Sequence, residues 1–135
     1  LKLLGLERAM VVASQDGLDE ISIAAPTRIA ELRDGEVHTY EVTPQDFGLN
    51  THPLEHMLGG NAEENASIIR RVLEGERGAY RDVVLANSAA CIYLAGKAES
   101  LAESAAIAAQ AIDSGAAANK LQQLIQTTEA FSYVS

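Results

Sequence analysis

The sequence contains no tryptophan, two phenylalanines and four tyrosines, so large rings cannot build its core. An aliphatic core is expected instead, and the alanine-rich last third predicts helices that approach closely through small side chains. A single cysteine, Cys91, excludes an internal disulfide and fits a reducing compartment, the cytoplasm. Basic residues are also few: ten Lys and Arg face nineteen Asp and Glu, for a net charge of −9 and a pI near 4.7. Contacts to nucleic-acid phosphates need clustered cations, so nucleic-acid binding is excluded, as is docking on an anionic membrane surface. A protein of this charge that handles phosphorylated substrates needs a cation, or basic groups outside this segment. No apolar run reaches the ~20 residues of a membrane span. The apolar stretch over 83–95 is interrupted by Asn87 and Ser88 and reads as a buried helix. Leu1-Lys2-Leu3-Leu4-Gly5 is no signal peptide. The chain lacks an initiator Met and opens inside what reads as the tail of a helix ended by Gly5, so a piece of a longer protein is expected.

What is present fits one domain or most of one: 135 residues, 14.3 kDa and 47% apolar content. The reading is a single incomplete α/β domain over 1–135, strand-rich over 1–50 and helical over 51–135. Ala9-Met10-Val11-Val12-Ala13 is an unbroken apolar run, the pattern of a strand covered on both faces in a parallel sheet. Residues 21–25 are expected as a further strand or an extended link into Pro26. Asp34-Gly35 predicts a tight hairpin between 28–33 and 36–42. Asn61 with Glu64 forms a capping box for a first helix, which Gly75 ends. A second helix is expected over about 79–95, apolar nearly all round. Ser100 with Glu103 opens a third that Gly115 breaks, and a fourth follows over about 116–130.

Asp19 and Glu20 lie just beyond the apolar run, where ligands collect in open α/β sheets. Mg²⁺ prefers hard oxygen ligands and keeps several waters, so one or two carboxylates plus substrate phosphates suffice. Both acids can serve only if the backbone there is irregular, because a regular strand sends neighbours to opposite faces. His52-Pro53-Leu54-Glu55-His56 matches the His-x-x-Glu-His pattern of inverted zinc peptidases. Pro53 opposes that reading by leaving His52 outside a helix, and Gly59-Gly60 stops any helix after little more than a turn. Cys91 is expected buried and inert, and Asn87 is expected to satisfy a buried backbone group. Arg70-Arg71 and Arg77/Arg81 read as solvated surface pairs, and His38 as a surface or packing residue. No glycine-rich phosphate loop occurs.

Several stretches in one order resemble the carboxyl-terminal part of anthranilate phosphoribosyltransferases. They include Gly17-Leu18-Asp19-Glu20-Ile21-Ser22, Pro26-Thr27-Arg28-Ile29-Ala30-Glu31-Leu32, Thr43-Pro44-Gln45-Asp46-Phe47-Gly48-Leu49 and Val72-Leu73-Glu74-Gly75. The segments over 82–93 and 111–116 complete the set. The resemblance implies a partial catalytic domain of the nucleoside phosphorylase/phosphoribosyltransferase type, with a few strands including a hairpin packed on a helical cluster. It implies transfer of phosphoribosyl from phosphoribosyl pyrophosphate to anthranilate, in cytoplasmic tryptophan biosynthesis, by a homodimeric parent. It also implies a Mg²⁺ role for Asp19 and Glu20. The family's Gly-Thr-Gly-Gly-Asp and Lys-His-Gly-Asn-Arg segments do not occur here, so no catalytic or substrate-binding residue is assigned. The chain alone is expected to be inactive and prone to self-associate through uncovered sheet surface. The alternatives are a related nucleoside phosphorylase, an acidic helical interaction module, and a zinc peptidase using His52, Glu55 and His56.

Overall fold

The computed structural model of the chain describes residues 1–131. The apolar run forms β1 (Ala9–Ser14), extended as its valines favour. β1 pairs antiparallel with β2 (Thr27–Arg33), from Ala9 opposite Leu32 to Ser14 opposite Thr27. β2 turns through Asp34-Gly35 into β3 (Glu36–Val42), giving the sheet order β1-β2-β3. Both turn residues sit at positive φ, 53° and 74°. Those angles match the twist of the flanking strands, and Asp-Gly adopts them at little steric cost.

Two expectations for this region are corrected. Among the described residues the sheet is wholly antiparallel, because the loop over 15–26 returns the chain beside β1 without the long crossover that a parallel neighbour needs. Only one face of the apolar run is packed: Met10 and Val12 lean on the core, whereas Val11 is 57% exposed. Residues 21–25 form the extended link, with bends and no strand.

The helices follow their capping signals. Asn61 caps α1 (Ala62–Leu73), its side chain accepting from the Glu64 N–H at 3.0 Å while the Glu64 carboxylate accepts from the Asn61 N–H at 2.8 Å. α2 (Ala79–Leu94) packs against β1 and α3 (Leu101–Asp113), and α4 (Ala116–Phe131) lies on α1 and α3. The box at Ser100 is half formed: Ser100 accepts from the Glu103 N–H at 3.1 Å, but the Glu103 carboxylate takes the Glu99 N–H. Ala86, Ala89, Ala105 and Ala108 are all buried at the centre, so α2 and α3 meet through small side chains. Ile21, Ile23, Ile29 and Phe47 close that core from the sheet side. Cys91 is exposed rather than buried, because it shares the outward face of α2 with Val84, two turns earlier and also exposed.

Arg81 corrects a further expectation. It is 2% exposed rather than solvated, and its guanidinium forks onto Asp113, at the end of α3, at 2.8 and 2.9 Å. Its position, four residues before Leu85 and eight before Ala89, places it on the buried stripe of α2. The cation also meets the carbonyl end of α3, where positive charge is favoured. The hydrogen bond from Arg81 holds the Asp113 carboxyl below the usual carboxylate range. A carboxyl depressed in the folded state stabilises it above the unfolded value, near ~3.9, and that stability is lost as pH falls through the lower folded value. Urea unfolding across pH should therefore show wild type more stable than Asp113→Asn near neutrality, with the gap closing in acid. A gap unchanged by acidification would contradict the pairing.

Candidate metal site

The loop over 15–26 is tied at its neck by the Gln15 N–H donating to the Pro26 carbonyl at 2.9 Å. Inside it, Asp16 turns back as a hub. The Ser14 hydroxyl donates to one of its carboxylate oxygens and the Ser22 hydroxyl to the other, the latter at 2.5 Å. Burial pushes the Asp16 carboxyl up, but the bonds from Ser14 and Ser22 outweigh it and hold the group below the usual range. Ser22 is in turn fixed, its hydroxyl accepting from the Ala24 N–H at 2.9 Å and its own N–H donating to Thr27 Oγ1 at 3.1 Å.

Two residues of the loop have both backbone groups held. The Leu18 N–H donates to Ser14 Oγ at 3.0 Å, and the Leu18 carbonyl accepts from the Ser14 N–H at 3.1 Å. Ile21 is gripped from across the core by Asn87 of α2. Asn87 Oδ1 accepts from the Ile21 N–H and Nδ2 donates to the Ile21 carbonyl, both at 2.9 Å. Nδ2 also donates to the Val83 carbonyl one helical turn back, at 3.0 Å, which fixes the orientation of the carboxamide. Asn87 thus satisfies a buried backbone group, as expected. Only Asp19 and Glu20 lie between the two anchored residues.

Asp19 and Glu20 are exposed, on irregular backbone rather than a strand. No hydrogen bond or ion pair of either carboxylate is formed with the described residues, and neither is committed to a competing cation. No group of three His, Cys, Asp or Glu among the described residues is arranged to hold a metal. Two free carboxylates without a third protein ligand suit Mg²⁺, which retains waters and takes substrate oxygens, better than the closed sites of zinc. Asp16 is a neighbouring carboxylate whose role is not evident from its place between the apolar run and Asp19. Its Asp-Gly step directly after a strand end is the turn signal that marks it.

The histidine motif does not assemble. Leu54–Met57 is a single 3-10 turn, and His52 lies outside it with Nε2 at 2.8 Å from Asp82 of α2. His56 and Glu55 are exposed. His52 and His56 border a cleft of about 250 Å³ together with Arg71, Arg77 and Arg81. Most of its cationic groups are already engaged, Arg71 with Glu76 at 3.2 Å and Arg81 with Asp113. His38, on β3, is exposed.

A short antiparallel sheet thus lies over an alanine-rich helical layer, with paired carboxylates on a braced loop where a strand ends. The profile of the "Glycosyl transferase family, a/b domain" matches residues 1–118, and the chain belongs to that family. Its relatives carry a more particular name. The chain is 50% identical over 132 residues to the anthranilate phosphoribosyltransferase of Azorhizobium caulinodans, covering 98% of this chain and 38% of the relative. It is 45% identical over 128 residues to that of Acetivibrio thermocellus, covering 95% and 37%. Among solved structures, the Thermus thermophilus anthranilate phosphoribosyltransferase superposes with a TM-score of 0.81 at 38% identity, over 90% of this chain and 36% of that one. The Saccharomyces cerevisiae enzyme in complex with PRPP and Mg gives 0.83 at 26% identity, over 92% and 36%. The chain therefore spans well under half the length of these relatives.

The two histidines should separate in stability. His52→Ala removes a half-buried contact to Asp82 and should cost about 1 kcal/mol in urea unfolding, whereas exposed His56→Ala should stay within about 0.5 kcal/mol of wild type. Equal losses would mean that the two side chains act as a unit.

Proposed function

We propose that this chain is the carboxyl-terminal part of a single catalytic domain that transfers phosphoribosyl from phosphoribosyl pyrophosphate to the amine of anthranilate, releasing pyrophosphate. In that reading Asp19 and Glu20 hold Mg²⁺, and the wider setting is cytoplasmic tryptophan biosynthesis by a homodimeric parent. The observation that carries it is the pair of unpartnered carboxylates, isolated between two anchored residues in a chain about half identical to its bacterial relatives. When bound, Mg²⁺ would spread the negative charge that builds on the departing pyrophosphate.

The chain's own residues do the rest of what is assigned to it. Asp19 and Glu20 present oxygens on irregular backbone, and Asp16 is spent on hydrogen bonds within the loop instead of competing as a ligand. A net charge of −9 makes this segment unsuited to gripping phosphates itself. The cations and amide donors that hold the anions are assigned to the portion the relatives have in addition. The described residues include no helix long and apolar enough to cross a membrane.

A hybrid tests this directly. Replacing the matched part of the Azorhizobium caulinodans relative with this chain should give an enzyme that consumes phosphoribosyl pyrophosphate and anthranilate in a Mg²⁺-dependent reaction. Asp19→Ala/Glu20→Ala in that hybrid should lower kcat/KM by about 100-fold. A folded hybrid without activity, or one indifferent to the double substitution, would overturn the reading.

A further inference from the structure

The Asn87 carboxamide does more than fill hydrogen bonds in the helical layer. It takes both polar backbone groups of the residue that directly follows Glu20. On the other side, Ser14 takes both groups of Leu18, the residue directly before Asp19, while Asp16 links Ser14 to Ser22 across the base of the loop. The conformational freedom left to the loop's crest is confined to the two carboxylate-bearing residues.

We propose that Asn87 and Asp16 are positioning residues for Asp19 and Glu20. They hold the crest in its metal-receiving shape without ligating the ion themselves. The proposal rests on the reading of Asp19 and Glu20 as Mg²⁺ ligands. Its physical basis is that an ion held by two carboxylates gains little from each contact, so the affinity left depends on how little ordering binding requires. Partners one step behind metal ligands ordinarily set affinity by orienting them. Here one such partner lies within the loop and the other on the central helix, so α2 and the metal loop are mechanically one unit. A loop held only by its own turns would be indifferent to a residue 66 positions away in sequence.

The probe is Mn²⁺, titrated into the ¹⁵N-labelled chain and read as paramagnetic broadening of the Asp19 and Glu20 amide signals. Wild type should broaden there at millimolar-range Mn²⁺, as expected of a weak hard-oxygen site. Asn87→Ala should raise the half-broadening concentration about tenfold. Asp16→Ala, which leaves α2 untouched, should act in the same direction and keeps the test valid if the helix variant folds poorly. Leu85→Ala, buried on α2 but away from the loop, lowers stability and should leave the concentration within about twofold of wild type. Mn²⁺ binding unchanged in both Asn87→Ala and Asp16→Ala would overturn the positioning role alone. Equal weakening by Leu85→Ala would reduce that role to general stability and overturn it as well. Broadening absent from wild type, or retained in Asp19→Ala/Glu20→Ala, would instead sink the metal reading, and this inference with it.

Discussion

The carboxamide of Asn87, reaching from the middle of α2 to the backbone of Ile21, is the contact on which the rest of the arrangement depends. The Ile21 side chain is 1% exposed in the core beside Ile23 and Ile29, so its own N–H and carbonyl lie close to an apolar interior. Leaving such groups without partners costs about 1–3 kcal/mol each. Asn87 meets both at once, and so burial of the isoleucine and presentation of the preceding acids become one event. Packing energy from the core is thereby transmitted to a loop whose crest has no apolar contacts of its own to order it.

α2 plays the same part elsewhere. Arg81 forks onto Asp113 and fixes the end of α3, and Asp82 takes His52 from the segment before α1. Tyr93 receives a hydrogen bond from Arg33 of β2 at 3.2 Å and lies 5.2 Å beneath the Arg8 guanidinium. Arg8 is also 3.9 Å from the buried Glu31, whose other oxygen accepts from the Tyr40 hydroxyl. Burial pushes the Tyr40 phenol up, with the Glu31 bond acting in the same direction, so it stays a donor. A helix whose packed face is mostly alanine thus carries long polar arms to separate parts of the chain. Small residues let α2 and α3 approach, and the arms set which segments meet them.

Much of this was legible in the residues. Asp34-Gly35 placed the hairpin, Asn61 with Glu64 placed the start of α1, and Gly59-Gly60 with Pro53 denied the histidine motif its helix. Those signals act within a few residues, where local geometry decides. Two features are of another kind. The charged neighbours of Arg81 suggest surface, although its four-residue spacing from Leu85 puts it on the packed stripe. The apolar run of β1 suggests a parallel strand, because apolar side chains on both faces look alike whether or not both are covered, and Val11 is not. Asp16 and the reach of Asn87 depend on contacts across the fold that spacing does not encode. Asp19 and Glu20 stood out in the sequence, but what isolates them between Leu18 and Ile21 did not.

The bonds from Ser14 and Asn87 shape the crest in the chain without any ion. Hydrogen exchange at the Ile21 amide of the metal-free chain tests this most directly, since that amide lies in a loop and its partner is a side chain of a distant helix. The account predicts strong protection without metal, approaching that of the α2 amides and little changed by Mg²⁺. Exchange at the rate of an open loop, with protection appearing only when Mg²⁺ is added, would contradict it.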